Sequence, residues 1–222
     1  MAGRYRARTK IENINVGVYY ADQNSLENEL IDKCKDIFYT NAAVKNELEI
    51  GCGNGHFIAK KAAENPSVYY FANEIKFKII VKAIQKIYNN KLNNVFFLRG
   101  DIAFFIKLIP DCFLNAIYIN FPDPWLKNRY RKRRIINQEN LSIFHSKLSE
   151  SGEIFFVTDN TDYLNYSIEQ FKLSGFFEPV FENFGYSEKL DNYPQTLYET
   201  IFRKQNIPVY YTVYSKKNRT IQ

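Results

Sequence analysis

The chain has 222 residues, enough to bury a full core without metals or disulfides, and its 45% apolar and 24% charged residues match a globular protein. Thirty Lys and Arg against 24 Asp and Glu give a net charge of +6, a general hint of a polyanionic partner. No apolar run of about 18 residues exists, the N-terminus lacks the apolar core of a signal peptide, and three cysteines form no CxxC pair, so a membrane span, a secretory leader and a zinc knuckle are not expected and a cytoplasmic location is.

Residues 1–44 are the least regular, with one helix expected over 26–38 capped by Ser25. From Lys45 onward, β-type runs alternate with helical patterns. Strands are expected at 45–50, 67–73, 94–98, 114–120 and 153–158. Between them, 76–88 reads as a helix with Phe77, Ile80, Val81, Ile84, Ile87 and Tyr88 on one face. Shorter helices are expected at 102–108, stopped by Pro110, and at 138–148, with a longer one at 161–173 closed by Gly175. Two further β-like runs, 176–181 and 197–203, are expected to pair antiparallel. The alternation predicts an α/β fold with a mostly parallel sheet and helices on both faces. Ligands in such sheets bind beyond the carboxyl ends of the strands, so the residues that follow each strand carry the functional reading.

The positive charge is gathered. Residues 1–10 hold four cations, 126–134 hold six and 215–222 hold three, with no acidic residue in any of them. These thirteen leave the remainder of the chain at −7. Both terminal clusters read as solvated tails. The internal run Lys127, Arg129, Arg131, Lys132, Arg133 and Arg134 repels itself and calls for an anion, which points to nucleic acid.

Three motifs stand at strand ends. The first, Glu49-Ile-Gly51-Cys-Gly53-Asn-Gly55, is a glycine turn that either makes a tight strand–helix connection or lets the backbone approach a ligand. It lacks the Lys-Ser/Thr of a phosphate-binding loop. Glu74, at the end of the next strand, is placed to accept ribose hydroxyls, and Asp101, after the third, to accept from an adenine amino group. Each of these carboxylates alone also fits a solvated loop. The second motif, Asn120-Phe-Pro-Asp123-Pro-Trp125, follows the fourth strand, and its two prolines restrict the backbone around Asp123. Trp125 either stacks on a base or packs. The third is the cation run, which begins four residues beyond Asp123. Thr196-Leu-Tyr198-Glu199 reads as part of a strand.

The glycine turn with its acidic residues resembles the S-adenosylmethionine site of class I methyltransferases. With FPDPWLKNRYRKRR, LEIGCGNG, Thr158-Asp159 and TLYE at 196–199, the sequence looks like a bacterial tRNA (guanine-N7)-methyltransferase from about residue 45 to 203. That resemblance implies a Rossmann-like seven-stranded sheet with an antiparallel last strand. The methyltransferase domain would span 45–204, between an N-terminal arm of 1–44 and a basic tail of 205–222. The implied reaction is methyl transfer from S-adenosylmethionine to N7 of a guanosine in the variable loop of tRNA. By the same resemblance Glu49, Gly51, Gly53, Glu74, Asp101, Asn120 and Asp123 would contact the cofactor, and Asp123 would be catalytic. Lys127, Asp159, Thr196, Leu197, Tyr198 and Glu199 would meet the substrate, and Arg129, Tyr130, Arg131, Lys132, Arg133 and Arg134 the RNA. No metal is expected, and the state would be monomer or homodimer. Leu126, Tyr130 and Ala72-Asn73 depart from the commoner family residues.

Guanine N7 carries an in-ring lone pair and needs no base to free it. Asp123 is therefore expected to orient the base and balance its developing positive charge. The rival readings are methylation at another base nitrogen, a non-catalytic RNA-binding protein on the same scaffold, and a nicotinamide-dependent oxidoreductase. The retained trio Glu49, Glu74 and Asp101 argues against an inert scaffold.

Overall fold

A computed structural model of the chain describes residues 19–22, 27–40, 44–183 and 185–217. The basic cluster of residues 1–10, Ser25 and Arg219 lie outside them. The chain divides into two compact units, the first ending at Pro110 and the second starting at Asp111.

In the first unit, four parallel strands run in the order β1 (Tyr19–Asp22), β4 (Val95–Arg99), β3 (Val68–Glu74) and β2 (Lys45–Ile50). β3 is buried along most of its length, as suits an inner strand covered on both faces. The helices α1 (Glu27–Thr40), α2 (His56–Glu64), α3 (Phe77–Asn89) and α4 (Ile102–Leu108) complete this unit. α3 buries Ile80, Ala83, Ile84 and Ile87 in a cluster with Tyr70, Val95 and Phe97. Buried Asn94 donates to the carbonyls of Ala62, Asn65 and Val68, tying the β4 entrance to the end of α2 and the start of β3.

In the second unit, β5 (Leu114–Asn120) pairs parallel with β6 (Leu148–Thr158), and β6 pairs antiparallel with β8 (Tyr210–Lys216). β7 (Phe177–Pro179) adds antiparallel to β8. α5 (Gln138–Lys147) and α6 (Thr161–Ser174) precede and follow β6, and α6 stacks Phe171 on Tyr214 of β8 at 3.9 Å. Asn137 and Asn160 cap the two helices by accepting from Asn140 and Tyr163 backbone N–H groups.

Strands β2 to β7 stand where strands were expected, and β8 and β1 are two more among the described residues. The last pairing differs from the sequence reading. Residues 197–203 do not form a strand: Leu197–Lys204 is the helix α7, because the Thr196 hydroxyl accepts the Glu199 N–H at 3.0 Å and starts a turn. The strand that pairs with β7 is β8, within the segment expected to be a tail. Tyr211, Val213 and Tyr214 are buried there, Lys216 donates to the Leu148 carbonyl, and Lys217 lies 3.9 Å from Glu178.

Candidate active site

β2 delivers Glu49, buried at 2% exposure, to the start of the glycine turn. Gly51, Gly53 and Gly55 all have left-handed φ, at +75°, +55° and +74°, a conformation that side chains resist. A Cβ at Gly51 or Gly53 would meet nothing within 4 Å, whereas one at Gly55 would strike Ala83 of α3 at 2.8 Å. The turn is thus pressed against α3 at its far end and bare at its first two glycines.

Glu74, at the end of β3, holds this turn. Its Oε2 accepts the Gly53 N–H at 3.2 Å and its Oε1 accepts the Lys76 N–H at 2.8 Å. Each carboxylate oxygen has a further lone pair, so both can also accept from hydroxyls. Asn73 donates to the Leu98 and Gly100 carbonyls, locking β3 to the end of β4. Asp101 caps α4 by accepting the Ala103 N–H at 2.9 Å. Burial, then the Glu49 and Glu74 carboxylates, push the Cys52 thiol well above its ordinary value. A turn lined by acids suits a ligand with hydroxyls and positive charge and disfavours a pyrophosphate. The open backbone over Gly51 and Gly53 leaves space for such a group.

The second unit holds the other motifs. Phe121 and Trp125 bracket Pro122-Asp123-Pro124, and both have left-handed φ, at +49° and +46°. Two such non-glycine residues persist only where the surroundings hold them. The Phe121 N–H donates to the Val157 carbonyl at 2.8 Å. At the other end Arg134 Nε donates to the Pro124 carbonyl at 2.8 Å. Asp123 is exposed between these anchors.

Arg134 corrects the reading of the cation run. It is fully buried, at 0% exposure, so it is not an RNA-facing residue. Its Nη2 bonds Asp162 of α6, and its guanidinium lies 4.7 Å from the rings of Tyr163 and Tyr166. Arg131 also reaches Asp162, at 2.9 Å. The Arg134 hydrogen bond, helped by both arginine charges, holds the Asp162 carboxyl below the usual carboxylate range. Residues Asn128–Arg133 form a 3-10 turn that points Lys127, Arg129, Lys132 and Arg133 outward. Arg129 covers Tyr130, and Arg133 covers both Tyr130 and half-buried Trp125. Lys127 and Asp159 form no ion pair among the described residues.

The structure brings Asn120, Phe121 and the 196–199 stretch together. Tyr193 donates its hydroxyl to Asn120 Oδ1 at 2.7 Å, and Phe121 packs on Tyr198 and Phe202 of α7. Leu197 and Tyr198 are exposed, Tyr198 at 59%. Glu199 is 1% exposed and accepts from Arg203 Nε at 2.7 Å and from the Tyr211 hydroxyl. Its Oε2 is buried with no hydrogen-bond partner among the described residues. The Tyr211 hydroxyl is pushed up to about 12, by burial first and then by Glu199. The sequence reading missed Asp162, Tyr193, Arg203 and Tyr211. Two signals were present: Thr196-x-x-Glu199 is a capping box, and Glu199 and Arg203 stand four apart.

Among the described residues no group of three or more His, Cys, Asp or Glu is placed to hold a metal ion, and no helix is long and apolar enough to cross a membrane. Solved structures similar in fold include an antibiotic-related methyltransferase (TM-score 0.57, 16% identity, 89% of this chain and 96% of that one) and the 16S rRNA methyltransferase KamB (TM-score 0.62, 10% identity, 90% and 99%). These likenesses establish the class I, Rossmann-like methyltransferase fold. A family model described as "Putative methyltransferase" matches residues 44–212. A tRNA (guanine-N(7)-)-methyltransferase of Clostridioides difficile is 34% identical over 85% of this chain and 89% of its own length. That of Aquifex aeolicus is 38% identical over 73% of this chain and 57% of its own length. The chain belongs to the tRNA (guanine-N7)-methyltransferase family.

Proposed function

We propose that this chain transfers a methyl group from S-adenosylmethionine to N7 of a guanosine in the variable loop of tRNA, acting in the cytoplasm. The observation that carries this reading is the anchored Pro122-Asp123-Pro124 loop, with an exposed carboxylate at its apex and outward cations directly after it. A held carboxylate beside a phosphate-gripping turn suits a nucleic-acid base better than a small molecule.

Glu49, Gly51, Gly53, Glu74 and Asp101 would hold S-adenosylmethionine, with Asn120 and Asp123. The fit rests on the bare backbone at Gly51 and Gly53 and on the accepting oxygens of Glu74. When bound, the cofactor supplies an electrophilic methyl on a cationic sulfur. Asp123 orients the guanine and balances the positive charge that builds on its ring, a role of fixed electrostatics and not of proton removal. Thr196 to Glu199 would receive the base. The buried Glu199 Oε2 is an acceptor held for a donor such as the guanine N1–H or amino group, since a buried oxygen left unpaired is costly. Lys127 and Asp159 would meet the substrate, and Arg129, Tyr130, Arg131, Lys132 and Arg133 the RNA around it.

The test is incubation with unmodified tRNA and S-adenosylmethionine carrying a labelled methyl group. Label should enter the tRNA, and should fail to enter when the variable-loop guanosine is replaced by adenosine. Equal labelling of both RNAs would overturn the assignment of the base.

A further inference from the structure

Residues 75–100 carry six cations, Lys76, Lys78, Lys82, Lys86, Lys91 and Arg99, and no acidic residue. They form a fourth acid-free segment, inside the part of the chain whose summed charge is −7, where that total conceals them. Lys78, Lys82 and Lys86 recur every four residues along α3, which places them in one slanting row about 6 Å apart. Lys78 and Lys82 are exposed and Lys86 is half-buried.

Several features set this row apart from an ordinary solvated face. Like charges four apart on a helix repel, and α3 contains no Asp or Glu to offset them. Lys76 and Lys78 stand at the helix N-terminus, the positive end of its dipole, where cations are disfavoured and acids are the usual choice. None of the lysines of the row makes an ion pair among the described residues. α2 extends the field with exposed Lys60 and His56. The His56 imidazole is held below its ordinary value by burial and then by the Lys86 and Lys60 charges, so the row is felt by its neighbour.

We infer that Lys78, Lys82 and Lys86 of α3, extended by Lys60, form a second contact surface that grips the sugar–phosphate backbone of tRNA. A row of cations about 6 Å apart can neutralise several phosphates of one nucleotide strand at once. The inference rests on the tRNA reading above and adds where else the RNA lies.

The experiment measures the affinity of the full chain for tRNA over a range of salt concentrations. The variant K78Q/K82Q/K86Q should bind about tenfold more weakly at physiological salt. Its log–log salt slope should fall by about two to three units, at about 0.7–0.9 per phosphate released. A control, K107Q/K172Q/K189Q, removes the same charge from other exposed positions and should shift affinity less than threefold. The variant K78R/K82R/K86R should restore both affinity and slope, which excludes a folding defect as the cause. A glutamine variant that behaves like the control would overturn the inference. Wild-type protein that binds tRNA with the predicted slopes yet labels no guanosine would overturn the tRNA-methylation reading and leave this surface standing.

Discussion

At the scale of single residues, the second unit separates cations that face outward from one that faces in. Exposed Arg133 covers the half-buried rings of Trp125 and Tyr130, whereas its neighbour Arg134 is buried between the Pro124 carbonyl and Asp162. Replacing Arg133 by Ala should lower the salt slope of tRNA binding by about one unit, since one phosphate contact is lost. Arg134→Lys keeps the charge but loses the forked geometry. It should leave that slope unchanged while lowering kcat, because the loop bearing Asp123 is less firmly held. Asp123→Asn should cut single-turnover methyl transfer by about a hundredfold or more, with a smaller effect on RNA affinity. An undiminished rate would remove Asp123 from the chemistry. Neither arginine's direction was legible in the sequence. KRR is a run of equivalent charges until the turn geometry decides which one points inward. The acid that pairs with Arg131 and Arg134, Asp162, stands 28 residues beyond Arg134, in no motif that would link the two.

Asp162 also gives a pH prediction. Its folded pKa lies below the unfolded value of about 3.9. Its contribution is therefore fully present above that value and is lost as pH falls through the folded pKa. The side chain is half exposed, so screening keeps the effect modest. Denaturant midpoints of wild type should fall more steeply below about pH 4 than those of Asp162→Asn. Parallel curves would show that the pair contributes nothing to stability.

At the scale of elements, periodicity was a good guide where one face is apolar and a poor one where the run is mixed. The buried face of α3 was visible through Ile80, Ile84 and Ile87, and β5 through its nearly unbroken apolar run. α7 was misread because Leu197, Tyr198, Ile201 and Phe202 are β-branched, aromatic or otherwise apolar residues that also suit a strand. What fixes it as a helix is local hydrogen bonding by Thr196, backed by the Glu199–Arg203 pair across one turn. β8 was hidden by the basic residues at its end, which suggested a solvated tail. In the fold they serve as bonding groups: Lys216 reaches the Leu148 carbonyl, and the Lys217 N–H donates to the Phe176 carbonyl. Ending the chain at residue 205 would leave β6 and β7 without the strand between them and uncover Phe156 and Phe171. That truncation should lose cooperative unfolding or become insoluble. A truncated protein that keeps its midpoint would restore the tail reading.

At the scale of the whole molecule, net charge proved to be a sum of segregated parts. The +6 total resolves into an outward cation turn after Asp123, a lysine row on α3 and terminal cations partly used by the fold. The glycine turn of the first unit has acids instead of cations around it, and there Glu49 and Glu74 would shape a site for a cationic cofactor. This division is what a methyl donor and a polyanionic acceptor require. The most direct measurement is to locate the labelled methyl within the RNA. Methylation at N7 leaves the guanine imidazole ring cationic, so borohydride reduces it and aniline then cleaves the strand at that nucleotide. Scission at the variable-loop guanosine, in proportion to label incorporated, is the predicted result. Label that enters tRNA without rendering that position cleavable would contradict the account.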